Sequence, residues 1–316
     1  MPLFLTEDDV AASLTMTAAL DLLDKAARKL ADGRAMSAPR QRVSSGAAML
    51  QVLPAALDGR LSHKSYTVGT RGAKFWVTLY APDGEMLALI EANRLGQIRT
   101  GAASGLATRC LARRDARTLG VIGTGFQART QVEAICLARP IERVRVWGRD
   151  RQRLERFCSE VGAQLGRRVE AAASAHDAVA DAEVVATMTS SAQPVLMGAS
   201  LRPGAHVNAA GSNRPTAQEI DIETVRRAAL VAVEDVAQSK VEAGDLLAAA
   251  AAGAFSWTDA VRLTDIVAGK IPGRTSDTQI TLFESLGIGL WDIAAASHVY
   301  DACMRAGLGT VLPFAG

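Results

Sequence analysis

The chain has 316 residues, enough for one large domain or two medium ones, and 49% hydrophobic against 22% charged residues supplies an ordinary globular core. A net charge of +2 gives no basic field for nucleic acid, and no apolar run reaches the roughly 18 residues of a membrane-spanning helix. Cys110, Cys136, Cys158 and Cys303 form no C-x-x-C pair, so reduced thiols are expected, with neither a disulfide framework nor a zinc site.

Near the start, Thr6 followed by Glu7, Asp8 and Asp9 is a helix-capping pattern. A second helix is expected over 16–32, with Ala19, Leu22, Leu23, Ala26 and Leu30 on one face. Residues 40–91 then read as short strands with period two, and Pro82-Asp83-Gly84 turns the last pair into a hairpin. A helix rich in Ala and Gly is expected over 97–114. From 118 onward, strand and helix alternate, which implies a parallel sheet with helices on both faces. Strands are expected at 118–122, 143–147, 169–172, 183–187, 206–209, 230–233 and 279–283, and a last helix at 286–305. The expected class is α/β: a Rossmann-type doubly wound sheet over 117–289, with an α+β domain built from 1–116 and 290–316.

The stretch Gly123-Thr124-Gly125-Phe126-Gln127-Ala128 follows the first strand of that alternation. It reads as a turn for a dinucleotide pyrophosphate. Gly123 permits the tight turn, Gly125 lets the backbone approach the phosphates, and Ala128 takes the third small position. The helix N-terminus adds free N–H groups and a positive dipole. The next strand ends in Trp147-Gly148-Arg149-Asp150-Arg151, with no acid at its immediate end to receive a ribose 2′-hydroxyl. Arg149 suits a 2′-phosphate, so NADP(H) is preferred and NAD(H) stays open through Asp150.

Other stretches are too polar for their surroundings. Arg42 and Lys64 lie in strands, Arg99 opens the Ala-rich helix, and Gly211-Ser212-Asn213-Arg214-Pro215 follows the strand at 206–209. Cations near the carboxyl edge of the parallel sheet suit a small carboxylate. His63, His176, His206 and His298 show no metal-ligand spacing.

Taken together, Lys64, Gly96-Gln97-Ile98-Arg99-Thr100-Gly101, Gly123 to Ala128, Gly211 to Pro215 with Glu219-Ile220-Asp221, and Ser276 to Gln279 with Phe283-Glu284-Ser285 resemble the ornithine cyclodeaminase/mu-crystallin family, over nearly the whole chain. The scattered thiols are those of a cytoplasmic protein, and the resemblance implies a homodimer in which the N-terminal residues and the last helix form the substrate and dimerisation domain. It implies that Arg42, Lys64 and Arg99 hold a substrate carboxylate. It also places Thr187, Met188, Thr189 and Ser285 along the cofactor. Cyclodeaminases of the family carry an Asp where this chain has Asn213, and an amide cannot accept a proton in its place. The expected function is therefore an NAD(P)H-dependent reductase of a cyclic imino acid, with Asn213 orienting the imine. The alternatives are an alanine-type dehydrogenase, a cyclodeaminase, a hydroxyproline dehydratase and, last, a crystallin-like binding protein.

Overall fold

A computed structural model describes residues 1–313. The chain divides into two compact units: residues 1–100 with the segment from 287 onward, and residues 101–286. The sequence pattern suggests a boundary at 116, where the strand–helix alternation begins. The observed boundary falls earlier, inside a helix.

The first unit begins with β1 (Leu3–Leu5), α1 (Glu7–Ser13) and α2 (Met16–Ala31). Thr6 and Asp9 form a reciprocal cap, each side chain accepting the other's backbone N–H. The strands β2 (Ala35–Ser37), β3 (Gln41–Ser45), β4 (Ala48–Leu57), β5 (Arg60–Gly69), β6 (Gly72–Tyr80) and β7 (Met86–Glu91) follow. They form a sheet ordered β1-β7-β6-β5-β4-β2, with β3 paired to β4 and a last short strand, Thr310–Val311, beside β1. The β6–β7 hairpin turns at Pro82-Asp83-Gly84 as its sequence predicts, with Gly84 at φ +93.

One face of β4 and β5 is buried: Gln51, Leu53, Ala55 and Leu57 on the first strand, and Ser62, Lys64 and Tyr66 on the second. The C-terminal helix Gly289–Ala306 packs against these strands and α2, and buries Trp291, Ile293 and Val299. Each such large side chain contributes about 1.5–3 kcal/mol of burial energy. The helix starts close to β4, because Gly289 has no Cβ to meet the Leu53 carbonyl, 2.9 Å from where one would stand.

α3 (Asn93–Leu111) contains the boundary between the units. The second unit is an eight-stranded, wholly parallel sheet. Its strands are β8 (Thr118–Ile122), β9 (Arg143–Trp147), β10 (Arg168–Ala171), β11 (Val184–Thr187), β12 (His206–Ala209), β13 (Ala228–Val233), β14 (Ala260–Arg262) and β15 (Ile280–Glu284). The spatial order is β10-β9-β8-β11-β12-β15-β13-β14. β8 is followed by α4 (Phe126–Ala138) and β9 by α5 (Arg151–Leu165). The order reverses between β8 and β11, which is the switch point where an open α/β sheet receives its ligand. This is the doubly wound Rossmann arrangement. β14 is an edge strand where the sequence pattern predicts none.

Candidate functional site

In the second unit, the glycine turn lies at the carboxyl end of β8. Gly123 has φ +118 and donates its N–H to the Trp147 carbonyl. A Cβ there would run into the Met188 carbonyl, so only glycine fits. Gly125 is the N-cap of α4, with φ −77 and no side-chain cap bond. A Cβ on Gly125 would meet nothing within 4 Å. No side chain caps the first turn of α4, and the space in front of Gly125 is open, which fits a pyrophosphate at a helix N-terminus. The Gln127 Oε1 in that turn is buried and lacks a protein partner among the described residues. Ala128 is fully buried in the third small position.

At the end of β9, Arg149 is exposed, and Gly148 lies against Thr124. The neighbouring arginines are engaged. Arg151 pairs with Glu155, and the Arg153 Nε donates to the Thr124 carbonyl. Asp150 caps α5 by accepting from the Arg153 N–H.

The loops after β11 and β12 are tied together by Glu219, a buried residue. It accepts from the Thr187 hydroxyl at 2.9 Å, the Thr189 N–H at 2.5 Å and the Gly211 N–H at 2.6 Å. Its two oxygens thereby hold Thr187, Met188 and Thr189 on one side and the loop carrying Asn213 on the other. Asn213 itself is half-buried. Burial pushes the Glu219 carboxyl up to about 7, against the hydrogen bonds from Thr189, Thr187 and Gly211 that lower it. Asp245 accepts from the Glu219 and Ile220 N–H groups, and burial pushes it up to about 6. Glu284 is raised well above the usual range by burial and then by its neighbours Asp245, Glu219 and Glu234. Glu234 accepts from the Ser285 hydroxyl and the Leu286 N–H, and so fixes the loop after β15.

In the first unit, Lys64 and Arg99 are brought together on a carboxylate that sequence reasoning missed. The Asp292 Oδ1 receives the Arg99 Nε at 2.9 Å and lies 3.4 Å from the Lys64 Nζ. Asp292 is completely buried, and Lys64 and Arg99 are nearly so. Lys64 also stands 5.3 Å from the Phe75 ring centre and 5.8 Å from that of Tyr66. Burial and then the Arg99 charge lower its ammonium to about 8, with Asp292 opposing and Arg40 adding to the fall. Two glycines make the room. A Cβ on Gly96 would stand 3.2 Å from the Lys64 Nζ, and one on Gly287, where φ is +77, would stand 2.5 Å from the Arg99 Nη1.

Arg40 is the second residue missed. It is buried, it acts electrostatically on Lys64, and its Nη2 donates to the Gly287 carbonyl at 3.1 Å. Arg42, picked out by its strand position, instead donates its Nε to the Gln51 Oε1 at 3.1 Å, and the Tyr66 hydroxyl donates to that same oxygen. Arg40 lies between β2 and β3 and has no periodic signal. The one clue to Asp292 was a lone acid in the otherwise apolar first turn of the last helix.

Among the described residues no helix is long and apolar enough to cross a membrane, and no cluster could hold a metal ion.

Residues 1–307 match the description of the ornithine cyclodeaminase/mu-crystallin family. The chain belongs to that family. Over 232 residues it is 37% identical to a Delta(1)-pyrroline-2-carboxylate reductase of Bacillus cereus, covering 73% of this chain and 71% of the relative. The structure of the Thermococcus litoralis Delta(1)-pyrroline-2-carboxylate reductase, in complex with NADH and L-proline, superposes with a TM-score of 0.94 at 30% identity, covering 98% of this chain and 100% of that one. An archaeal alanine dehydrogenase dimer with bound NAD superposes at 0.93 and 28% identity, covering 99% of both chains.

Proposed function

We propose that this oxidoreductase reduces the C=N bond of a cyclic imino acid such as Δ1-pyrroline-2-carboxylate or Δ1-piperideine-2-carboxylate to the cyclic amino acid. The observation that carries the reading is the pair Lys64 and Arg99, two buried cations that share a single carboxylate oxygen. Buried charge of that kind favours an incoming anion, and the planar Arg99 guanidinium suits a carboxylate. Arg40 adds a third positive charge beside Lys64, in the role that the resemblance implies for Arg42. The relatives named for pyrroline-2-carboxylate reduction support the same substrate class.

The dihydronicotinamide, when bound, supplies the hydride. The turn at Gly123 and Gly125 and the first N–H groups of α4 hold its pyrophosphate. Glu219 and Glu234 keep the loops of Thr187–Thr189, Asn213 and Ser285 in place. Lys64 donates a proton to the imine nitrogen; an ammonium brought to about 8 is close to the pH at which general acids work best. Asn213 orients the imine or a water. Its amide cannot accept a proton, which argues against the cyclodeaminase reaction. Run in reverse, the same arrangement oxidises an amino acid.

We assign NADP(H) as the preferred cofactor on the exposed Arg149 at the end of β9. Among the described residues its guanidinium makes no ion pair, whereas Arg151 is engaged by Glu155. We further assign a homodimer through the outer face of the first unit's sheet. Met36 is 71% and Leu61 49% exposed there, beside a groove of about 520 Å³ lined by Pro54, Ala56, His63 and Tyr80.

The test is direct. Purified protein is mixed with NADPH or NADH and a panel of cyclic imino acids, and absorbance of the reduced nicotinamide is followed. Oxidation with pyrroline or piperideine carboxylate and silence with ornithine is the expected result. Conversion of ornithine to proline and ammonia without net oxidation would overturn the reductase reading.

A further inference from the structure

Asp292 lies 193 residues from Arg99 in sequence, yet it is the point where the cations of the first unit converge. Its Oδ1 serves both Arg99 and Lys64, while its Oδ2 is buried with no hydrogen-bond partner among the described residues. A buried carboxylate oxygen without a partner is costly. That cost falls where Lys64 and Arg99 meet.

We propose that Asp292 is a positioning residue for the reduction: it holds Arg99 against Lys64 and keeps the lysine's proton available for the imine nitrogen. The inference rests on the imine-reductase reading and deepens it. In the step, hydride adds to the carbon of the C=N bond, the C–N π bond breaks, and the nitrogen takes a proton from the Lys64 Nζ. Lys64 is left neutral and is recharged from solvent, and no group leaves.

The surroundings of Lys64 decide the sign. Arg99 from α3 and Arg40 from the segment before β3 oppose its charge, as does burial; the rings of Tyr66 and Phe75 are within cation–π range; Asp292 from the C-terminal helix supports the charge. Asp292 is the carboxylate that sustains the ammonium. An opposite charge at this range moves a titration by about 1–3 pH units. Removing it lets the proton leave at lower pH, while Arg99 loses the acceptor that fixes its Nε.

The experiment compares wild type, Asp292→Asn and Asp292→Glu. Two readouts are taken across pH: the affinity for pyrrole-2-carboxylate, a planar non-reacting probe, by calorimetry, and kcat/KM for Δ1-pyrroline-2-carboxylate. Wild-type affinity is expected to fall above about pH 8. In Asp292→Asn the fall should come at least about one pH unit lower. Its kcat should drop by about tenfold or more, a part of the roughly 100- to 10,000-fold that a general acid contributes, with NADH affinity unchanged. Asp292→Glu keeps the charge and should return the fall towards the wild-type pH. A wild-type profile in Asp292→Asn would overturn the proposal, and so would equal displacement by Asn and Glu, which would mean packing alone. If wild type binds the probe but turns over no imino acid, the reductase reading fails while the affinity profile still tests Asp292. If wild type does not bind the probe, both fail.

Discussion

Replacing Gly125 by valine separates cofactor binding from folding. The φ of −77 and ψ of −179 at Gly125 are ordinary extended backbone, and a Cβ would point into open space. Losing glycine at an N-cap costs about 1 kcal/mol, and stiffening the unfolded chain returns about 0.4–1 kcal/mol. Stability without cofactor should therefore change by less than about 1 kcal/mol, a shift in Tm of no more than about 4 °C. Binding should change far more. The valine side chain fills the open space in front of the N-terminus of α4. Two charge-assisted hydrogen bonds to a pyrophosphate are worth about 1.5–3 kcal/mol each, so losing both weakens the cofactor at least about 100-fold. Thermal unfolding without cofactor and a fluorescence titration with NADH measure the two effects. An NADH affinity within about threefold of wild type would refute the assignment of this turn to the pyrophosphate. Gly123→Ala is the contrasting case. At φ +118, with the Met188 carbonyl in the way, it should cost about 1–3 kcal/mol of strain in the fold itself.

Arg149→Ala should weaken NADPH about tenfold or more and leave NADH nearly unchanged, since a lost charged hydrogen bond costs about 1.5–3 kcal/mol; equal loss for both cofactors in parallel titrations would remove the 2′-phosphate role. His206 is wholly buried on β12, bonded through Nδ1 to the Thr281 hydroxyl, and burial followed by the Arg274 charge lowers it to about 3. The unfolded chain takes up this proton near pH 6.5 and the folded one does not, so stability is lost as pH falls from 6.5 towards 3, at about 1.4 kcal/mol per pH unit. His206→Gln should remove that slope, narrowing the wild-type advantage by about 2 kcal/mol between pH 6.5 and 5 in urea unfolding; an unchanged difference would contradict it. Leu61→Asp should shift the proposed homodimer to monomer in light scattering, and a persistent dimer would place the interface elsewhere.

The parts of the fold legible in the sequence are those whose cause is local. The glycine turn at Gly123 and Gly125 is spelled out in six residues, and the Pro82-Asp83-Gly84 turn sits between two alternating strands. The C-terminal ends of β8, β9 and β12 fall where the apolar runs stop. β14 was missed because three residues at a sheet edge, ending in Arg262, carry too little periodicity. The site was only half legible for the same reason. Lys64 stood out as a charge at a position where alternation calls for an apolar residue. Arg40 has no such contrast, because its segment belongs to no strand. Asp292 meets Lys64 and Arg99 only through the packing of the last helix on β4 and β5, a long-range fact absent from any local window. Glu219 reads as a loop acid until the two loops it joins are seen together.

Three buried carboxyls of the second unit make proton uptake part of folding. Glu219, Asp245 and Glu284 all hold their protons more firmly in the folded chain than an exposed acid would. Their contribution to stability is complete below about pH 4 and is lost as pH rises through the raised values of about 6 and 7. Unfolding near pH 6 must then release protons to the buffer. The calorimetric heat would differ between phosphate and imidazole by the ionisation heat of each buffer, so the protein itself reports how many acids the cofactor edge keeps protonated.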